Sequence, residues 1–263
     1  MIALAVRRLL ATGLMWSLAA CTTFVPPPVS EPDPQAPEPR DSWARVLERF
    51  LDRDGRIDFA GLSRARGDLD RFVAWIYQTG PDSRPGLFPT HRHVLAYHLN
   101  AYNALAMYAI LDEGVPQSLA GLKKVHFFVL KRYQVDGRPI SLYAYENEII
   151  RPLGEPRVHF ALNCMAVACP RLPREPFDAE RLEEQLERET RYFFSEPRNV
   201  RVDDNARTIH LSEILDFYSG DFLGAVPTLA AYVNRYRMAP VPEEYSIVFT
   251  PYDWSVNRQP VAR

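Results

Sequence analysis

The chain is 263 residues long and nearly balanced in charge, with 31 lysines and arginines against 33 aspartates and glutamates, formally −2. That balance leaves no basic stripe for nucleic acid. With 47% hydrophobic residues the chain can bury a sizeable core, which argues for a globular protein.

At the N-terminus Arg7 and Arg8 precede an apolar run from Leu9 to Ala20, too short to span a bilayer as a stable helix. A charged start, a short apolar stretch and small residues before a cut read as a secretory signal over residues 1–20. The ending Leu18-Ala19-Ala20-Cys21 resembles the bacterial lipoprotein signal, which implies that Cys21 is the lipidated first residue of the mature chain. By the same resemblance, Thr22 in place of an aspartate implies a lipid anchor in the bacterial cell envelope, at the outer membrane and facing the periplasm. A membrane, reached through Cys21, is thus one expected partner. Residues 21–40 carry Pro26, Pro27, Pro28, Pro32, Pro34, Pro37 and Pro39. They read as an extended tether without secondary structure. Residues 41–263 suit one globular domain by length.

Asp41 can cap a helix with Trp43, Val46, Leu47 and Phe50 at helical spacing. The acidic run from Asp52 to Asp58 around Gly55 lacks two ligands of a calcium loop and reads as a tight turn. Leu69 to Tyr77 form a second helix. Thr90 opens a long one that runs to about Glu113, with Gly114 as its stop. Tyr133 to Ile140 read as a hairpin around Asp136-Gly137. Ser141 caps a helix carrying Leu142, Tyr145 and Ile149. From Arg157 to Leu162 apolar and polar residues alternate, the pattern of a strand with one apolar face. Asp178 opens an amphipathic helix, Val200 to Leu211 form a second hairpin turning at Asp204-Asn205, Ser212 and Thr228 cap short helices, and Tyr245 to Asn257 end as a strand. Helices mixed with short antiparallel strands and hairpins, without a βαβ rhythm, make the class α+β in a single domain.

Several polar residues fall where apolar ones are expected. Asn103 shares the stripe of Ala96, Leu99, Met107 and Ile110 on the long helix, and Asn100 sits only about 60° away. A buried amide needs partners, either backbone or ligand. His98 points about 140° from that stripe, toward the surface or a packing contact. Glu146 lies on the buried face of its helix, with Arg151 and Arg157 as the nearest candidate cations. Arg157, His159, Asn163, Cys164 and Cys169 crowd into fourteen residues ending at Pro170.

Taken together, Asn100-Ala-Tyr-Asn103, Glu146 with Arg151, the stretch from Arg157 to Pro170, Leu211-Ser212, Phe217-Tyr218 with Asp221-Phe222, and the closing Tyr252-Asp253-Trp254 through Asn257 resemble the bacterial domain-of-unknown-function family 547 (DUF547). The resemblance runs in order over most of residues 43–257. It departs at Tyr97-His98, where an aromatic pair is usual, at Asn147, where a histidine is common, and at Met165, where a glycine usually follows the cysteine.

Three readings of the Cys164 region follow. In one, Cys164 is the nucleophile of a hydrolase or acyltransferase, His159 its base, and Asn163 or Asn103 an orienting or oxyanion group; a strand would put His159 and Cys164 on opposite faces. In the second, favoured for an oxidising compartment, Cys164 and Cys169 form a disulfide stabilising the fold by roughly 2 kcal/mol. The third, metal, fails on ligand spacing, so no metal and no cofactor is expected. The expected site is a polar cleft walled by Asn100, Asn103, Glu146, Arg151, Arg157, Asn163 and Asp253. It would bind a small anionic ligand or an envelope protein, with the thiol- or histidine-dependent hydrolase as the alternative.

Overall fold

The computed structural model describes residues 22–27, 38–224 and 226–260. The expected signal and the lipidation at Cys21 lie outside these residues. Ahead of the domain, Thr23–Phe24 form β1, and Val25 is buried while the Tyr77 hydroxyl donates to its carbonyl at 2.6 Å. The segment read as a bare tether therefore includes a docked strand, because the apolar pair Phe24-Val25 interrupts its polar and proline composition.

The first half is a helical stack. Helix α1 (Arg40–Phe50) packs on α3 (Gly67–Gln78), with the short α2 (Phe59–Arg64) between them, and α3 packs on α4 (His91–Asp112). Trp43 stacks on Phe72 at 5.6 Å across the first contact. Helix α4 is buried from Leu95 to Leu111 on every side. A helix apolar all round belongs in the middle of a core, so His98 is packed inside, its Nδ1 at 2.8 Å from the Tyr145 hydroxyl, rather than reaching the surface.

Two short helices leave the α-helical register. The helix α5 (Leu122–Val125) runs into a π turn at His126–Leu130. Strands β2 (Lys131–Val135) and β3 (Arg138–Ile140) form the expected hairpin, with Asp136 and Gly137 both at positive φ, as a two-residue turn of this kind demands. Helix α6 (Leu142–Ala144), capped by Ser141 Oγ, runs into a second π turn at Tyr145–Ile150. The stretch read as a strand from Arg157 is a 3₁₀ helix, Pro156–Phe160. Its cause is local: Glu155 accepts from the Arg157 N–H, and Pro156 holds the helical φ at the first position.

The second half holds α7 (Leu182–Ser195), β4 (Val200–Asp203), β5 (Thr208–Ser212), the short helices α8 (Ile214–Phe217), α9 (Ser219–Leu223) and α10 (Leu229–Asn234), and β6 (Ser246–Thr250). A smaller core of Phe160, Phe193, Phe194, Phe222 and Tyr232 sits here. The class is α+β as expected, with one correction: β1 joins β2 and β6 joins β5 in parallel, so both three-stranded sheets are mixed rather than antiparallel. After β6 the chain turns back across the first half, bridging Ser118, Ala166 and Ile57.

Candidate functional site

A cavity of about 430 Å³ opens where these halves meet. The π turns shape two of its walls. In the second, the Arg151 N–H reaches back to the Glu146 carbonyl, five residues earlier. This wider turn brings Glu146 and Arg151 onto one face, where an α-helix would set them about 140° apart. Both side chains, with Asn147 between them, line the cavity. The first π turn contributes Phe128 and Val129 opposite.

His159 enters the cavity wall from the 3₁₀ helix. Its Nε2 lies 2.8 Å from Asp221 Oδ2, and Asp221 also receives Nε and Nη2 of Arg151 at 2.7 and 2.8 Å. The hydrogen bond from His159, then those from Arg151, hold the Asp221 carboxyl well below the usual range. An ionised carboxylate only accepts, so Nε2 carries a proton, and in the neutral ring Nδ1 is the nitrogen with the lone pair. Nδ1 is buried and has no hydrogen-bond partner among the described residues. The imidazole stacks on Tyr218 at 3.8 Å, and the Arg151 guanidinium lies over the same ring at 5.3 Å. Glu146 accepts from the Tyr102 hydroxyl at 3.1 Å.

Cys164 and Cys169 also line the cavity. They are free thiols with sulfurs 2.8 Å apart, well beyond a disulfide bond of about 2.05 Å. The expected disulfide is corrected to a thiol–thiol contact. It is shared by Tyr252, whose hydroxyl lies 3.0 Å from Cys169 Sγ and 3.4 Å from Cys164 Sγ. Cys169 also accepts the Cys164 N–H at 3.1 Å. The two thiols titrate apart. Donation to Cys169, then burial, pushes Cys164 well up. Burial would raise Cys169 too, but the donors Cys164, Tyr252 and the Ala166 N–H outweigh it and hold Cys169 below its ordinary value.

The loop carrying the thiols is clamped at both ends. Asn103 donates to Ala161 O at 3.0 Å and accepts the Asn163 N–H at 2.8 Å. Asn163 in turn donates to Pro170 O and accepts from the Met165 N–H, both at 2.7 Å. Met165 stands at φ +69°, a left-handed conformation that suits glycine and strains other residues. That is the position where the resembled family usually has glycine.

Of the expected cleft residues Glu146 and Arg151 line the cavity, together with the expected catalytic pair His159 and Cys164 and with Cys169. Asn100, Asn103, Asn163, Arg157 and Asp253 do not line the cavity. Asn100 binds Trp43 Nε1 and the Phe177 backbone. Arg157 is taken by Glu155 and Glu183, and Asp253 caps the Ser255 N–H. The anion-binding expectation thus loses Arg157, and Arg151 is already committed to Asp221. Asp221, Tyr218, Tyr252 and Trp254 complete the site without having been singled out, Asp221 and Tyr252 being more than 50 residues from His159 in sequence. Their only signal was membership of the motifs Phe217–Phe222 and Tyr252–Asn257.

Residues 88–194 match the family model described as protein of unknown function, DUF547. This supports the DUF547 family for the stretch holding Tyr102, Glu146, Arg151, His159 and both thiols. Tyr218, Asp221, Tyr252 and Trp254 lie beyond the match. No curated protein and no solved structure matches the chain.

Proposed function

We propose that the protein is a thiol-dependent hydrolase or acyltransferase, with Cys164 as nucleophile, His159 as base and Asp221 as the group that orients the base. One observation carries the reading. An imidazole fixed through Nε2 by an ionised carboxylate, with Nδ1 unpaired, shares a cavity wall with a thiol. A nucleophile, a base and a third group holding the base are the parts that acyl transfer needs.

The chemistry balances on these groups. Nδ1 takes the Cys164 proton as Sγ bonds to the substrate carbonyl carbon. When the tetrahedral adduct collapses, the leaving group departs with the proton from Nδ1, and an acyl thioester remains on Cys164. Water, losing a proton to Nδ1, or another nucleophile cleaves that thioester, and the proton returns to Sγ. Because Cys164 is held as a thiol, proton removal and attack are coupled.

That same upward push on Cys164 favours a second reading, a binding module whose cavity holds a small ligand without turning it over. Incubation with an activated aryl ester separates the two. The enzyme accumulates an acyl adduct on Cys164, detectable by intact mass and absent in Cys164→Ser. No adduct and no ester cleavage sinks the enzymatic reading. We also propose, on the Leu18–Cys21 sequence, that the chain is a lipoprotein of the bacterial envelope. The mass of its mature N-terminus tests this, an unmodified Cys21 being the contrary result.

A further inference from the structure

The mouth of the cavity is apolar and faces outward. Leu122, Val125 and Val129 are 89%, 47% and 39% exposed. Leu122 and Val125, three apart on α5, share one face within about 60°, and Val129 follows on the π turn. Phe127, on the opposite side, is buried. This inverts the usual arrangement in which the apolar stripe of a surface helix looks inward. Tyr143 and Phe217, 56% and 47% exposed, stand across the opening. Contiguous exposed apolar surface of this kind marks a contact site.

The same short helix carries Lys123 and Lys124, two of only three lysines in a chain whose other cations are arginines. Both are exposed, and neither has an ion-pair partner among the described residues. Lys124 lies over the Trp254 ring at 4.3 Å and lines the cavity. Apolar residues flanked by lysine, with an aromatic ring at the same level, are what a segment lying in a membrane interface presents. No described helix is long and apolar enough to cross a membrane, so such a contact is peripheral.

We infer that residues 122–130 dock on an anionic lipid surface and that the cavity behind them takes the acyl chain of a lipid. The charge of Lys123 and Lys124 matches anionic headgroups, while the exposed side chains enter the acyl boundary. Val125, Phe128 and Val129 line the same cavity as His159 and Cys164, so a chain held there has apolar walls beside the reactive groups. Surface docking and acyl-chain binding are both independent of the thiol chemistry proposed for Cys164.

The test uses the full chain carrying Cys21→Ser, so that no attached lipid contributes. It is sedimented with vesicles of phosphatidylcholine alone or mixed with phosphatidylglycerol. The parent partitions to the mixed vesicles. A variant with Leu122→Asp, Val125→Asp and Val129→Asp partitions roughly tenfold or more weakly, while Lys123→Glu with Lys124→Glu abolishes the preference for the anionic lipid. Hydrogen exchange of 122–130 slows when vesicles are added. A fluorescent long-chain fatty acid binds the parent saturably, which reads acyl binding without any turnover; absence of binding overturns the acyl pocket. Equal partitioning of parent and triple variant, or exchange in 122–130 unchanged by lipid, overturns the inference. A patch variant that alters only self-association, showing the face to be an interface between copies, overturns it as well.

Discussion

Asp221 couples His159 to Arg151: one carboxylate receives the imidazole Nε2–H at 2.8 Å and the Nε and Nη2 donors of the guanidinium. The arrangement fixes the tautomer of the neutral ring, in which Nδ1 is the basic nitrogen. Asp221→Asn turns one acceptor oxygen into a donor, which cannot satisfy both partners. Under the proposed chemistry it slows acylation by about 10²–10⁴-fold, the range for losing a correctly oriented base. Single-turnover acylation by an activated ester measures this. A variant as fast as the parent removes Asp221 from the mechanism.

Tyr252 sets the thiol pair. Its hydroxyl lies against both sulfurs and helps hold Cys169 below its ordinary value. Tyr252→Phe deletes that donor, so alkylation of the pair moves to higher pH. The pH profile of iodoacetamide reaction, with the two cysteines resolved by mass, reads the shift. An unmoved profile, or one displaced to lower pH, contradicts the geometry.

Much of the helical half was legible because its signals are local. Thr90 and Gly114 bound α4, and Asp136-Gly137 make the turn of the β2–β3 hairpin. The segment after Pro156 misled, because alternation in six residues also fits a 3₁₀ turn once the proline and the Glu155 cap are weighed. The asparagines of α4 were rightly seen as out of place. Whether their partners were backbone or ligand is a tertiary fact, and both bind backbone. Asp221 and Tyr252 reach the site from distant segments, and the π turn that aligns Glu146 with Arg151 has no periodic signature. The site was thus half visible: its thiols, imidazole and acid stood out, while the groups that tune them did not.

Asn103 illustrates the energetic weight of such an amide. Asn103→Ala leaves the Ala161 carbonyl and the Asn163 N–H buried without partners. Each orphaned group costs about 1–3 kcal/mol, so the variant loses about 2–6 kcal/mol in chemical denaturation. It also loosens the loop that carries Cys164, and thiol alkylation accelerates. A loss under about 1 kcal/mol would show that the clamp matters little.

Arg157 separates an ion pair from a ligand contact. Its side chain is 12% exposed and bound to Glu155 and Glu183, away from the cavity. Arg157→Met destabilises the domain by about 1–3 kcal/mol, the cost of an orphaned carboxylate. Binding of a fatty acyl probe in the cavity is unchanged. A weakened probe affinity with full stability would restore Arg157 to the ligand-binding set.

His98 makes stability depend on pH. Burial pushes its imidazole down to about 4 from an ordinary 6.5, with Asp136 opposing weakly. The neutral ring is held at 2.8 Å from the Tyr145 hydroxyl and faces the Tyr97 ring. Between pH 6.5 and 4 the unfolded chain binds a proton at this residue that the folded chain refuses. The unfolded state therefore holds more protons, and stability rises with pH through that window. Descending from pH 7, the fold loses stability from about 6.5, and the loss from this group is complete near pH 4, at about 3 kcal/mol. The lowered carboxylates Asp52, Asp68 and Asp221 add their loss at still more acidic pH. His98→Gln keeps a partner for the Tyr145 hydroxyl without titrating. Urea denaturation at pH 7, 5.5 and 4.5 should show a shallower decline for the variant than for the parent. Parallel declines would mean that His98 does not set the acid limit, and that exposed carboxylates and the remaining histidines carry it.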